Sequence, residues 1–231
     1  MKEKKQMKQS VDTEIATEDG IVEIKKPNKK ELKLAKNRQK YTQKYFTKFS
    51  GRAQESYDEM LKVDYQKMIE RALELSSINE MSYSSVMMIT IPDAFDQTSK
   101  VNYRLDKKED GTFTLLYDQA LVTILFFGDD VLYYYQGNVD HRNGHIAYDV
   151  SGEFNYFDVV HMETALKYDR PVHPKYLTLD LEIGLTDGTM VPFHLRNHRI
   201  HDDYDLKTLL TDQEKKLLDT LKQKVRESRQ L

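Results

Sequence analysis

Short strand and turn patterns follow one another from residue 120 to residue 196, and a capped helix pattern comes after them. Residues 120–127 are almost entirely apolar or β-branched, which is typical of a central strand covered on both faces. Residues 177–185 alternate between apolar and polar, so they predict a strand with one dry face and one wet face. The region therefore predicts a small antiparallel β unit closed by one helix.

Turn signatures divide the chain after residue 79 into further strands. The other expected strands are 86–91, 101–105, 112–117, 131–135, 145–150, 157–162 and 191–195. The expected turns are Glu109-Asp110-Gly111, Gly128-Asp129-Asp130 and Asn143-Gly144. Asp187-Gly188 predicts a two-residue type I′ turn, in which both central residues adopt a positive φ.

The C-terminal helix has a clear start signal. Thr211-Asp212-Gln213-Glu214 is a capping box, in which the threonine and glutamate side chains satisfy backbone amides from both directions. Its apolar stripe consists of Leu217, Leu218, Leu221 and Val225. Such a stripe needs a sheet to lie on.

The N-terminal third has helical rather than strand patterns. Residues 1–27 are polar and without periodicity, which predicts disorder. Residues 29–49 and 52–76 carry apolar residues at helical spacing, interrupted by Ser50-Gly51. We expect a helical hairpin or one bent helix over 28–79, followed by a β domain over 80–231. The apolar stripes must be buried against each other, against the β unit or against another chain.

Composition narrows the class of protein. The 231 residues are 39% hydrophobic, enough for one ordinary domain with an extension. There is no cysteine, no apolar run long enough for a transmembrane segment and no signal-peptide pattern, so we expect a cytoplasmic location. Residues 1–50 carry 14 Lys/Arg against 7 Asp/Glu, whereas the rest carries 21 against 31. A basic arm therefore precedes an acidic body.

The strand and turn sequences resemble those of bacterial pleckstrin-homology-like (PH-like) domains over residues 112–228. The run from Phe126 to Tyr135 looks like their first hairpin, and Phe157-Asp158-Val159-Val160 is similar to a later strand. The last hairpin and the helix after it complete the same order. The resemblance implies an α+β fold: an N-terminal helical hairpin, then a small antiparallel PH-like β-barrel or sandwich capped by a C-terminal α-helix.

The resemblance also bears on function. PH-like domains bind proteins, peptides or lipids, so it implies no catalytic residue. Members that bind phosphoinositides resemble one another in a basic cluster on the first hairpin. Here that hairpin carries Asp129 and Asp130, which repel phosphate, so a phosphoinositide ligand is disfavoured.

The leading interpretation is a non-enzymatic cytosolic interaction or adaptor protein. It would bind a protein partner, or another copy of itself, through the PH-like domain and the amphipathic N-terminal helices. Rigid aromatic side chains are favoured contacts in such interfaces. The candidate partner-binding residues are Tyr45, Phe46, Phe49, Tyr57, Tyr133 and Tyr135. No cofactor is expected.

Two alternatives remain open. The first is a nucleic-acid-associated accessory protein that uses the basic arm. Its candidate residues are Lys29, Lys30, Lys33, Lys36, Arg38 and Lys40. The second is a metal-dependent hydrolase, because all seven histidines lie between His141 and His201. Its candidate ligands are His194, His198 and His201, although a strand followed by a loop does not give helical ligand spacing and surface histidines are the commoner explanation.

Overall fold

A computed structural model of the chain describes residues 16–17, 20–21, 28–47, 55–95, 98–107, 113–199 and 209–230. Its helices are α1 (Lys29–Thr47), α2 (Glu55–Leu75) and α3 (Asp212–Ser228). Its strands are β1 (Ala16–Thr17), β2 (Gly20–Ile21), β3 (Ser85–Pro92), β4 (Tyr103–Lys107), β5 (Phe113–Tyr117), β6 (Gln119–Phe127), β7 (Val131–Asp140), β8 (His145–Asn155), β9 (Val159–Tyr168), β10 (Tyr176–Leu185) and β11 (Met190–Arg199).

Every strand pairing in the described part of the chain is antiparallel. One sheet has four strands in the order β3-β6-β7-β8, and a second has three in the order β11-β10-β9. Two smaller pairs, β4-β5 and β1-β2, stand apart from these sheets. The side chain of Asn197 in β11 donates a hydrogen bond to the carbonyl of Pro92 in β3, 3.0 Å away, where the two sheets meet. The predicted α+β class with antiparallel strands is confirmed.

Strand β6 is covered on both faces, as its apolar sequence predicts. On one face, Leu125 and Phe127 belong to an inner core between the two sheets and α3. On the other, Ile124 and Phe126 belong to an outer core beneath α2. Because successive side chains of a strand point to opposite faces, a strand between two cores must be apolar throughout.

Helix α3 closes the inner core. Leu217, Leu218 and Leu221 are buried there, and the capping box forms as predicted, with the Thr211 side chain accepting from the Glu214 amide. Glu214 also pairs with Arg196 of β11. Burial would raise the pKa of Glu214, but the hydrogen bonds from Arg196 and from the Thr211 amide outweigh it and hold the pKa below its usual range.

Helix α2 packs on the sheet of its own chain. Met68 and Ala72 of α2 are fully buried against β6 and β7, and α2 is tied to β8 by an ion pair from Arg71 to Asp149. The apolar stripe of α2 therefore has a partner within the molecule. Self-association is no longer needed to explain this stripe.

Three local predictions are wrong. In the last turn only Gly188 has a positive φ, and its amide donates to the Leu185 carbonyl at 3.0 Å. This is a type I turn followed by a left-handed glycine rather than a type I′ turn. Tyr156–Asp158 forms one 3₁₀ turn, so the expected strand at 157–162 begins at Val159 instead. His198, expected in a loop, lies in β11.

Some predictions cannot be compared with the structure. The β1-β2 pair lies within the segment predicted to be disordered, but most of residues 1–27 lie outside the described part of the chain. The same holds for Phe49, the Ser50-Gly51 interruption, the turn at 109–111 and His201.

Candidate functional site

A groove runs between strand β9 and the C-terminal half of helix α3. It encloses about 210 Å³. The lining residues are Val159, Val160, His161 and Met162 from the strand, Lys222, Val225 and Arg226 from the helix, and Arg229 at the helix C-cap. These last four residues are spaced by three or four positions along the chain, so they share one face of α3 and its end. One wall is therefore a strand and the other is a helix face.

The strand wall is the free edge of a sheet as far as the described residues show. Among them, β9 pairs with β10 along one side only and is the outermost strand of its sheet. Alternate residues of such a strand turn their backbone N–H and C=O groups away from the neighbouring strand, where another extended chain can pair with them. The groove thus combines an edge for pairing with space for side chains.

The helix wall is basic. Lys222 and Arg226 are exposed on it, and the Arg229 guanidinium donates to the carbonyl of Val159 at the start of β9. The nearest acid on the strand is Glu163, whose carboxylate lies 3.4 Å from His161. Three cations along one helix face give the groove a positive potential, which suits a negatively charged ligand.

Two large apolar side chains at the start of β9 have no cover from the described part of the chain. Phe157 is 67% exposed and Val160 is 60% exposed. Both lie where the chain enters β9. An exposed phenylalanine and valine beside an open sheet edge are features of a surface that binds another protein segment.

A second cluster, formed by the buried Asp64 and His141 and the half-buried Arg38, lies where α1 and α2 meet the β7-β8 turn. The Nδ1 atom of His141 lies 2.7 Å from Oδ2 of Asp64, so the imidazole donates to the carboxylate. Arg38 donates to the same oxygen, and its Nε donates to the His141 carbonyl at 2.9 Å. The cluster joins α1, α2 and the turn at one point.

Burial and hydrogen bonding act in opposite directions on the pKa of Asp64. Asp64 is 1% exposed and His141 is 0% exposed. Burial would raise the pKa of Asp64, but hydrogen bonds from His141 and Arg38 outweigh it and lower the pKa. Within the described residues, Oδ1 of Asp64 and Nε2 of His141 have no hydrogen-bond partner. An Asp–His pair without access to solvent cannot reach a substrate, so we assign it a structural role.

Gly144 in the β7-β8 turn lies directly against this cluster. Its φ is +72°, and a Cβ placed on it would lie 2.7 Å from Arg38 Nη1. Gly188 has a φ of +86° with nothing within 4 Å of such a Cβ. We expect Gly188→Ala to lower the free energy of unfolding by about 1–2 kcal/mol through backbone strain alone. Gly144→Ala should cost more, since Arg38 must also move.

The two alanine variants are compared by urea unfolding followed by circular dichroism. An equal loss in both variants would contradict the expected contact between Gly144 and Arg38.

The aromatic residues proposed as partner contacts are mostly enclosed. Tyr45 and Tyr57 stack at 4.5 Å between ring centroids inside a small cluster between α1, α2 and β5, and Tyr135 is fully buried beneath α2. Phe46 and Tyr133 are half-buried. Burial raises the pKa of Tyr57 and of Tyr135. In this structure, Tyr45, Tyr57 and Tyr135 are core side chains.

The basic candidates divide into two groups. Lys29, Lys30, Lys33, Lys36 and Lys40 are exposed on α1. Arg38 faces the opposite way and is held by Asp64, so it is not available to a phosphate.

The histidines are spread over the β region. The side chain of His194 pairs with Asp180 at 2.8 Å, and His198 lies four residues further along the same strand. Residues four apart on a strand are about 13 Å apart, too far to share a metal ion. In the described part of the chain, no group of three or more histidines and acids could hold a metal.

Comparison with protein-family models, with curated proteins and with solved structures gives no match for this chain. No helix among the described residues is long and apolar enough to cross a membrane.

Proposed function

We propose that this chain is a non-enzymatic cytoplasmic interaction protein with a PH-like β domain, and that it binds an extended acidic segment of a partner protein in the groove between β9 and α3. The PH-like assignment is supported by the element order. A four-stranded sheet is followed by a three-stranded sheet and then by one helix that covers the core between them. Fold likeness alone does not establish function, so the proposal depends on the groove.

The open edge of β9 is the observation that carries the proposal. A partner segment paired with β9 gains backbone hydrogen bonds, while its alternate side chains enter the groove beside Met162 and Val225. The exposed Val160 and Phe157 lengthen the apolar contact at the start of the strand.

The charge of α3 supports an acidic ligand. Lys222 and Arg226 are exposed at the groove, and an arginine forms strong paired hydrogen bonds with a carboxylate. The groove lining itself contains no acid among the described residues, although Asp219 and Glu227 of α3 and Glu163 of β9 lie beside it, so positive charge dominates the lining.

Burial of the Asp64–His141 pair supports a non-enzymatic role. It is the closest approach of a histidine to a buried acid among the described residues, and it is enclosed by α1 and α2. An acid–base pair that works on a substrate must lie within hydrogen-bond reach of it.

Binding of an acidic peptide tests this function. The probe is fluorescein-labelled (Glu-Val-Asp-Thr)₃, with (Lys-Val-Lys-Thr)₃ as the charge-inverted peptide, and binding to the full chain is measured by fluorescence anisotropy. We expect the acidic peptide to bind and the basic one not to bind. The double variant K222E/R226E should weaken binding by about tenfold or more, since it reverses two charges on the groove wall.

The matched control is K215E/K216E, which makes the same charge change on exposed positions of α3 outside the groove. It should leave the affinity within about twofold, because charges at a distance are screened by salt. Equal losses in both double variants, or an acidic peptide that fails to bind the unaltered chain, would refute a groove-directed peptide site.

A further inference from the structure

Five lysines form a straight stripe along the outside of helix α1. Lys29, Lys33, Lys36, Lys40 and Lys44 are all exposed, and at 3.6 residues per turn they fall within an arc of about 80°. At 1.5 Å per residue the stripe is about 22 Å long. None of the five forms an ion pair with another described residue.

The opposite side of α1 fixes the helix in place. Arg38 and Tyr45 lie about 180° and 160° away from Lys29 around the helix, and both are held by the rest of the fold. Arg104 of β4 donates to the Tyr45 carbonyl at 3.0 Å, and its guanidinium stacks on the Tyr45 ring. Glu31 is the one acid in the sequence of α1. The lysine stripe is thus a fixed array without acids.

We infer that the lysine stripe is a docking surface for double-helical DNA, bound through its phosphates and without sequence preference. B-DNA carries one negative charge per about 1.7 Å, so a stripe of about 22 Å runs alongside about 13 phosphates. Lysine binds phosphate as a point charge and does not require a fixed hydrogen-bond geometry. The surface lies on α1, whereas the proposed peptide groove lies between β9 and α3.

Packing of α1 favours DNA over an anionic membrane. A helix that binds a membrane surface buries its apolar face among the acyl chains. Here that face, represented by Tyr45, is packed against α2 and β5. Leu32 and Leu34 are exposed, but they lie on opposite sides of the lysine arc and do not form a continuous apolar strip.

The salt dependence of binding gives a quantitative expectation. Each neutralised phosphate changes the slope of log K against log salt concentration by about −0.9. Five lysines therefore predict a slope of about −4.5 for the full chain. Removing three of them should leave a slope of about −1.8.

The test measures fluorescence anisotropy of a labelled 20-base-pair duplex with the full chain, from 50 mM to 200 mM salt. The variant K33Q/K36Q/K40Q removes the centre of the stripe. Its control, K62Q/K67Q/K216Q, removes three exposed lysines from α2 and α3, with the same change in net charge. We expect the stripe variant to lose about tenfold or more in affinity at 50 mM salt, and the control to change by less than about threefold.

Three results would overturn the inference: no binding of the duplex by the full chain at 50 mM salt, equal losses in the two triple variants, or capture by phosphatidylserine vesicles without any duplex binding. Thermal unfolding of both variants checks that they remain folded, since exposed lysines contribute little to stability. The lysines replaced in the stripe variant lie on α1 and outside the groove, so the difference between the two triple variants tests the stripe and not the peptide site.

Discussion

Asp64→Ala is expected to lower the free energy of unfolding by about 3–5 kcal/mol, the cost of removing one partner from a buried ion pair. The substitution leaves the Arg38 guanidinium and the His141 imidazole without their common acceptor. Arg38 also holds α1 to the β7-β8 turn, so the effect should extend to the packing of α1 and α2 on the β region. Urea unfolding at pH 7, followed by circular dichroism, measures the loss.

Two further substitutions make this result specific. Asp64→Asn keeps an oxygen that can accept one hydrogen bond, so its loss should be smaller than that of the alanine variant. Glu59→Ala removes an exposed acid from the same helix and should change stability by no more than about 0.5 kcal/mol. If Asp64→Ala were as mild as Glu59→Ala, the cluster around Asp64 would not hold α1 and α2 in place.

Phe126→Ala is the second substitution with a large expected effect, a loss of about 3–5 kcal/mol. Phe126 is 0% exposed in the outer core, where its ring lies 5.0 Å from that of Tyr83. Removing it opens a cavity between β6 and α2 that the surrounding side chains can fill only in part. The loss is measured by the same urea titration.

Phe157→Ala is the matched control, because the same atoms are removed from a side chain that is 67% exposed. It should change the free energy of unfolding by no more than about 0.5 kcal/mol. If both variants lost a similar amount of unfolding free energy, the outer core would not stabilise the fold as the burial of Phe126 indicates.

The predictions that the structure confirms rest on patterns between residues close together in the sequence. The alternation in β10 and β11 depends on neighbours two residues apart, and the capping box at Thr211 depends on neighbours three residues apart, so the sequence contains both in full. The type I′ turn was wrong because Asp187-Gly188 is also compatible with a type I turn that places only the glycine at positive φ.

The site features depend on contacts between distant parts of the chain. Asp64 and His141 are 77 residues apart, and no short-range pattern pairs them. One signal was available: Asp64 falls on the apolar stripe of α2, three residues after Leu61 and four before Met68, where an acid must find a buried partner. The free edge of β9 had no such signal, because strand order within a sheet is not visible in a strand's own sequence.

The outer core has a practical consequence for shortened forms of this protein. A chain that began at residue 80 would keep every strand of the four-stranded sheet but would leave Ile124, Phe126 and Tyr135 facing water. Such an exposed apolar surface would bind other molecules nonspecifically. Binding measured with that fragment would therefore result from the truncation and would not reflect the function of the full chain. Experiments on the β region therefore need residues 55–75 to be retained.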